Sequence, residues 1–309
     1  MEMIKVTFPD GSVHEFEKGV KILDVAISIS EGFARNVIGA VINDDIIKGL
    51  SETLKEDCTV KFVKFEDKEG KEIFWHTSSH VMDLAIQRLF PDTKFGIGPA
   101  IENGFYYDLD SEHKFTPEDL EKIEAEMKKI VKEGYSVDRK EVDRDFALKY
   151  FAEKGQDYKI DLIEGFDKDA ELSFYELGEF TDLCRGPHLV DVKKIKAVKL
   201  LSIAGAYWRG SEKNKMLQRI YGITFEKKKD LDEYGYPRQA DGMRFTVTLD
   251  ASNDRYINDA AIAGAIAGYL EKVGIKVNLN LMSRNVFFSY IGTTNKSGDN
   301  THLCQTCVF

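Results

Sequence analysis

The chain has 309 residues, is 43% hydrophobic, and carries a formal net charge of −10 and four cysteines. That length points to two or three domains, each able to bury a core, and the acidic balance excludes indiscriminate nucleic-acid binding. No run of about 18 apolar residues could cross a membrane, and the start lacks the basic and apolar regions of a signal peptide. Four cysteines are too few for a disulfide scaffold, so a reducing cytoplasm is the expected setting.

In chain order, residues 3–65 read as a small α+β unit. "MIKVTF" alternates as a strand, "PDGS" is a turn and "VHEF" the returning strand, which together make a hairpin. "VKILDVAISIS" places Ile22, Val25, Ala26 and Ile29 on one helical face. "VIGAVI", a turn at Asn43-Asp44 and "TVKFVKF" add strands, and the set suggests a β-grasp arrangement. Cys58 is alone in it, and a docking or binding module is the natural reading. The charged "EDKEGK" (66–71) suits a linker. A helix is expected from about Phe74 to Leu89, then strands and tight turns in "FPDTKFGIGPAIENGFYYDLD". Thr116, Pro117 and Asp119 mark a helix start, Leu120, Ile123, Met127, Ile130 and Val131 its apolar stripe, and Gly134 its end. Residues 137–180 mix short helices and strands, and "AGAYWRG" reads as a turn-rich segment before a basic helix or loop.

After about Tyr234 the character changes. "GYPRQADG" is a break. "MRFTVTLD", "DAAIAGAIAGYLEKVG" and "IKVNLNLM" read as strand, helix and strand, a small parallel βαβ unit. Cys304 and Cys307 form a lone C-x-x-C, a weak half-site for zinc. Between residues 192 and 229 stand eleven basic residues against two acidic ones. Such a stretch could attract phosphates or be a solvated lysine-rich face.

Two spacings carry the chemistry. His76 and His80 stand four apart in "HTSSH", and four residues along a helix share one face. Cys184 and His188 stand four apart in "CRGPH", where Gly186-Pro187 forces a bend that could turn both toward one space. Asp182 and Arg185 flank them. Three histidines and a cysteine match a zinc-ligand set in type and number, and equally a cysteine activated by histidine; spacing does not separate the two.

"HTSSH", "IGPAIENGFYYDLD", "CRGPHL" and "AGAYWRGSEKNKMLQRIYGITF", in this order and at these separations, resemble the N-terminal region of bacterial threonyl-tRNA synthetases over about the first 235 residues. The resemblance implies an α+β, multi-domain chain: a TGS-like β-grasp domain (1–64) and the family's editing domain (65–234). That domain hydrolyses serine wrongly attached to threonine tRNA. By matching motif it implies His76, His80, Lys159, Asp182, Cys184 and His188 as catalytic, and Tyr107, Asp182 and Arg185 as substrate-binding. Within that set, Lys159 and Tyr107 would donate to the reacting oxygens and Asp182 would hold the substrate ammonium. The implied partner is the acceptor end of tRNA(Thr), with no membrane. No metal or other cofactor is expected for editing. Zinc remains possible on His76, His80, Cys184 and His188, because related alanyl editing domains bind it with the same pattern. ATP, magnesium and the synthetase's own zinc belong to a catalytic domain that this sequence lacks, so editing without charging is the expected activity. The alternative is a non-catalytic, RNA-contacting or inert remnant of a fused or rearranged gene. Residues 235–309 form a third segment, of which about 236–290 resemble a fragment of the peptide-binding proteins of ABC transporters, too short to form their ligand cleft.

Overall fold

The computed structural model describes residues 2–232, 234, 242–253, 259–294 and 302–304. It divides into two compact units, residues 1–231 and 232–309, and is a mixed α+β chain of more than one domain.

The first unit begins with β1 (Met3–Thr7) and β2 (Val13–Glu17), then α1 (Ile22–Ile29) and α2 (Glu31–Asn36), then β3 (Gly39–Ile42), β4 (Ile46–Gly49) and β5 (Cys58–Val63). The sheet order is β2-β1-β5-β3-β4, with β1 and β5 parallel, which is the expected β-grasp arrangement. Asn43 and Asp44 both take positive φ (52° and 62°) at the β3–β4 turn, the conformation a tight two-residue hairpin requires. Ile22, Val25 and Ala26 are buried under the sheet, but Ile29 is 48% exposed. Helix α1 stops there because the next residue, Ser30, caps α2 by accepting from the Phe33 N–H.

Helix α3 (Lys68–Leu89) begins six residues earlier than its apolar pattern suggests. The charged "EDKEGK" is therefore no linker. Asp67 precedes the first turn and accepts from the Lys64 N–H at 2.8 Å. A side chain at Gly70 would lie 1.8 Å from the Lys64 carbonyl, so α3 is packed directly against the end of β5. From Ile73 to Ile86 nearly every side chain of α3 is buried, including Thr77, Ser78, His80 and Asp83.

Around α3 follow β6 (Lys94–Phe95), β7 (Ala100–Ile101), β8 (Gly104–Asp110), α4 (Pro117–Glu133), β9 (Val137–Val142), α5 (Arg144–Glu153), α6 (Asp157–Gly165), β10 (Leu172–Leu177), β11 (Phe180–Leu183), β12 (Ala197–Tyr207), β13 (Met216–Phe225) and α7 (Lys228–Asp232). One sheet runs β12-β13-β8-β6, a second β11-β10-β9. Thr116 and Asp119 form a reciprocal capping box, and Gly134 closes α4 in the left-handed region. In "AGAYWRG" the first four residues end strand β12, and Trp208–Gly210 make the expected turn; the basic stretch that follows leads into β13 rather than a helix or loop, and the two strands form a long antiparallel pair with a bulge at Leu200/Ser202. The core of this unit joins α3 to α4 and to both sheets.

In the second unit, β14 (Phe245–Ser252), α8 (Asp259–Lys272) and β15 (Ile275–Met282) form the parallel strand–helix–strand, followed by α9 (Arg284–Thr294) and β16 (His302–Cys304). β16 pairs parallel with β14. Cys307 of the C-x-x-C and residues 235–241 of the break lie outside the described residues.

Candidate active site

Helix α3 and the loop after β11 meet at one point. His76 and His80 project from one face of the helix. The loop turns at Gly186 (φ 71°), where a side chain would collide with the Tyr175 hydroxyl at 2.1 Å. This turn brings Cys184 and His188 back toward α3. The Cys184 sulfur lies 3.2 Å from His76 Nε2 and 3.2 Å from His188 Nε2. The His188 ring stands 4.3 Å from both the His76 and the His80 ring centres. The four candidate ligand atoms all lie within 4.8 Å of one another.

The hydrogen bonds fix the tautomer of His188. Thr77 Oγ1 donates its hydrogen to the Ile73 carbonyl (2.8 Å) and accepts from the Leu189 N–H (2.9 Å). It has no second hydrogen, so His188 Nδ1, at 3.3 Å, is the donor to it. His188 Nε2 therefore presents a lone pair to the sulfur. His76 Nε2 stands at the same distance from the sulfur. One thiol proton thus lies between two imidazole nitrogens and can serve only one. The Gly186 N–H also points at the sulfur, at 3.2 Å.

Burial keeps these groups uncharged. It pushes His76 down to about 4 and His80 to about 3, with Asp182 opposing in both cases, and it holds His188 well below the usual imidazole value. Burial, with Asp182 adding to it, pushes the Cys184 thiol up to about 12. At neutral pH the cluster is three neutral imidazoles and a thiol.

Beneath it lies a charged anchor. Lys159 Nζ reaches Asp182 Oδ1 at 2.6 Å and donates to Tyr107 Oη and the Gly96 carbonyl, each at 2.8 Å. Tyr107 donates to Asp182 Oδ2 at 2.7 Å, and His80 Nε2 lies 3.5 Å from the same oxygen. Burial alone would raise the Asp182 carboxyl; the Lys159 ammonium and His80 outweigh it and hold it below its usual value. All three Lys159 donors are engaged inside the protein. In this geometry the Tyr107 hydroxyl hydrogen and the Lys159 ammonium are committed to partners inside the protein; Asp182 is 3% exposed, and with Lys159 and Phe180 it lines a cavity of about 190 Å³. Arg185 is not brought to the cluster: it is exposed, with its guanidinium 5.1 Å from the Phe166 ring centre.

Three contributors escaped the sequence reading. Thr77 sits inside "HTSSH" and orients His188. The Gly96 carbonyl, a backbone group, leaves no trace in residue type. Asp83 had a visible signal, a lone charge in the apolar run "VMDLAI". Its side chain is fully buried with neither oxygen hydrogen-bonded, and burial raises its pKa well above the usual carboxylate range. A raised carboxyl favours folding least where it must ionise, so stability falls as pH climbs above the unfolded-state pKa. Asp83→Ala is therefore expected to stabilise the unit at pH 7–8 by about 1–3 kcal/mol, the cost of an unsatisfied buried polar group. Urea unfolding at pH 5 and pH 8 reads this: the gain should grow with pH.

Four of the eleven basic residues of 192–229 pair with acidic partners from distant segments. Lys199 pairs with Glu124 (2.8 Å), Lys215 with Asp110 (2.7 Å), Arg209 with Asp161 (3.0 Å), and Arg219 grips Asp108 through two bonds of 2.7 and 2.9 Å. The local charge count overstated what this face offers a phosphate.

Residues 4–64 match the TGS domain, and residues 172–221 match the threonyl and alanyl tRNA synthetase second additional domain. The chain is similar over 232 residues to threonine–tRNA ligases of Finegoldia magna (66% identical) and Clostridioides difficile (59%), and over 229 residues to that of Caldanaerobacter subterraneus subsp. tengcongensis (53%). These alignments take in 74–75% of this chain but only 35–36% of each relative. Among the described residues, no helix is long and apolar enough to cross a membrane.

Proposed function

We propose that residues up to about 232 hydrolyse mischarged seryl-tRNA(Thr), releasing serine from the terminal ribose, and that tRNA(Thr) binds through its acceptor end. The observation that carries this reading is the convergence of His76 Nε2 and His188 Nε2, each 3.2 Å from the Cys184 sulfur, on one thiol proton, which can serve only one of them and leaves the other nitrogen for a water molecule. A water so held donates one hydrogen to His76 or His188 Nε2. Its oxygen attacks the ester carbonyl as that imidazole takes the proton. The tetrahedral intermediate then expels the ribose oxygen, which recovers the proton from the imidazolium. The Gly186 N–H and the thiol fix the water's position, while Lys159, Tyr107 and Asp182 hold His80 and β11 in place. Serine differs from threonine by one methyl, which a binding pocket discriminates by only about 1–3 kcal/mol, so a second, hydrolytic site has a physical purpose.

The donor set of His76, His80, Cys184 and His188 also fits zinc, which favours tetrahedral nitrogen and sulfur ligands. When bound, the ion would supply Lewis-acid polarisation. The proposed route uses only the protein's own groups.

The test is incubation of the purified chain, metal-stripped and zinc-loaded in parallel, with seryl- and threonyl-tRNA(Thr). The expected result is loss of the seryl ester about ten times faster than the threonyl ester, with or without metal. Salt-dependent tRNA binding with no hydrolysis in either preparation would support the second reading, a non-catalytic RNA-contacting fragment.

A further inference from the structure

His188 is clamped from two sides. On the α3 side, Thr77 Oγ1 accepts from His188 Nδ1 and from the Leu189 N–H (3.3 and 2.9 Å). On the other side stands the β-grasp domain. Gly49, the last residue of β4, is buried against the His188 peptide. A side chain at Gly49 would place its Cβ 2.7 Å from the His188 carbonyl oxygen, 3.5 Å from the His188 nitrogen and 3.6 Å from Pro187 Cβ. No left-handed φ is recorded for Gly49, so its own backbone does not call for glycine; the close approach does.

The buttress is itself held firmly. The Gly49 N–H donates to Glu52 Oε1 at 2.8 Å and the Glu52 N–H donates back to the Gly49 carbonyl at 3.1 Å. The Leu23 N–H bonds the Leu50 carbonyl and the Ile22 N–H bonds the Glu52 carbonyl, both at 2.9 Å, tying this turn to α1. Val190, two residues past His188, packs into the β-grasp core, and Ile47 packs against the core of the neighbouring domain.

We infer that Gly49 is a positioning residue for His188, so that the β-grasp domain sets the geometry of the catalytic loop across the interface. An alanine at 49 must push the His188 carbonyl away until contact is ordinary, from 2.7 to at least 3.4 Å. A displacement approaching 1 Å at a catalytic group costs up to about 100-fold in rate.

The kinetic arm rests on the deacylation proposed above; a second arm does not. Gly49→Ala is expected to lower kcat on seryl-tRNA about tenfold or more, with KM little changed, and to shift the ¹⁵N imidazole resonances of His188. Val6→Ala is the control, a fully buried residue of the same domain, on β1, three strands from β4. It weakens the domain core without touching the loop and should leave kcat and the His188 resonances unchanged. Glu52→Ala, which loosens the turn without adding bulk, should give a smaller effect of the same sign and serves if Gly49→Ala does not fold. Unchanged His188 resonances and kcat in Gly49→Ala and Glu52→Ala, or equal losses in Val6→Ala, would overturn the inference. A wild-type chain that fails to deacylate would refute the functional reading alone, since the resonance comparison still stands.

Discussion

Replacing His76 with alanine is expected to slow seryl-tRNA deacylation about 10²–10⁴-fold, the usual contribution of a positioned general base. Cys184→Ala should act in the same direction, because the sulfur is the atom that both imidazoles face. Far-ultraviolet circular dichroism should report an intact fold in both. The pH dependence separates this mechanism from a base of ordinary pKa. Burial holds His76 at about 4, so the acid limb of the rate profile should fall near pH 4 rather than near 6.5, and the rate should be level from about pH 5.5 to 7.5. The stability linkage has the matching sign. A depressed histidine binds fewer protons folded than unfolded, so its contribution is complete above about 6.5 and is lost as pH falls through 4. His76→Ala should lessen that acid sensitivity. Wild-type rates in both variants would remove the cluster from the chemistry.

The second large effect is structural. Lys159→Ala or Asp182→Ala leaves the other charge buried without its partner, at about 3–5 kcal/mol. Both side chains are only 3–4% exposed, so solvent cannot take over the missing role. The double replacement Lys159→Met with Asp182→Leu should cost distinctly less than the two single changes added together, since no isolated charge remains. Guanidinium unfolding of the three variants reads the coupling directly. Additive losses would mean that the pair is not the anchor described here. Asp182, held below its usual value by Lys159 and His80, should also make wild-type stability decline as pH drops below about 4, a decline the double variant lacks.

Much of the architecture is written in short-range signals. Thr116 and Asp119 cap α4 through groups three residues apart, Gly134 ends it, and Asn43-Asp44 turns the β3–β4 hairpin with positive φ. The strand–helix–strand of the second unit follows from Gly274, the helix stop, and two β-rich runs. The β-grasp order was legible because each of its segments is patterned for its own face. Patterns of charge read less well. "EDKEGK" looks like a solvated linker, yet Gly70 lets it begin a buried helix against Lys64. Lys199, Lys215 and Arg219 look like part of a free basic face until the sheet brings Glu124, Asp110 and Asp108 alongside.

Read alone, the sequence marked most of the helices and strands and the two short motifs that hold imidazoles and a thiol, because caps, turns and periodicity act within a few residues. Folding was needed to show that these motifs, more than a hundred residues apart, share one site of neutral groups, that Lys159 and Asp182 use their charges on each other, and that Gly49 presses on His188. Burial and pairing across such separations set protonation, tautomer and position, and these arise only once the chain has closed on itself.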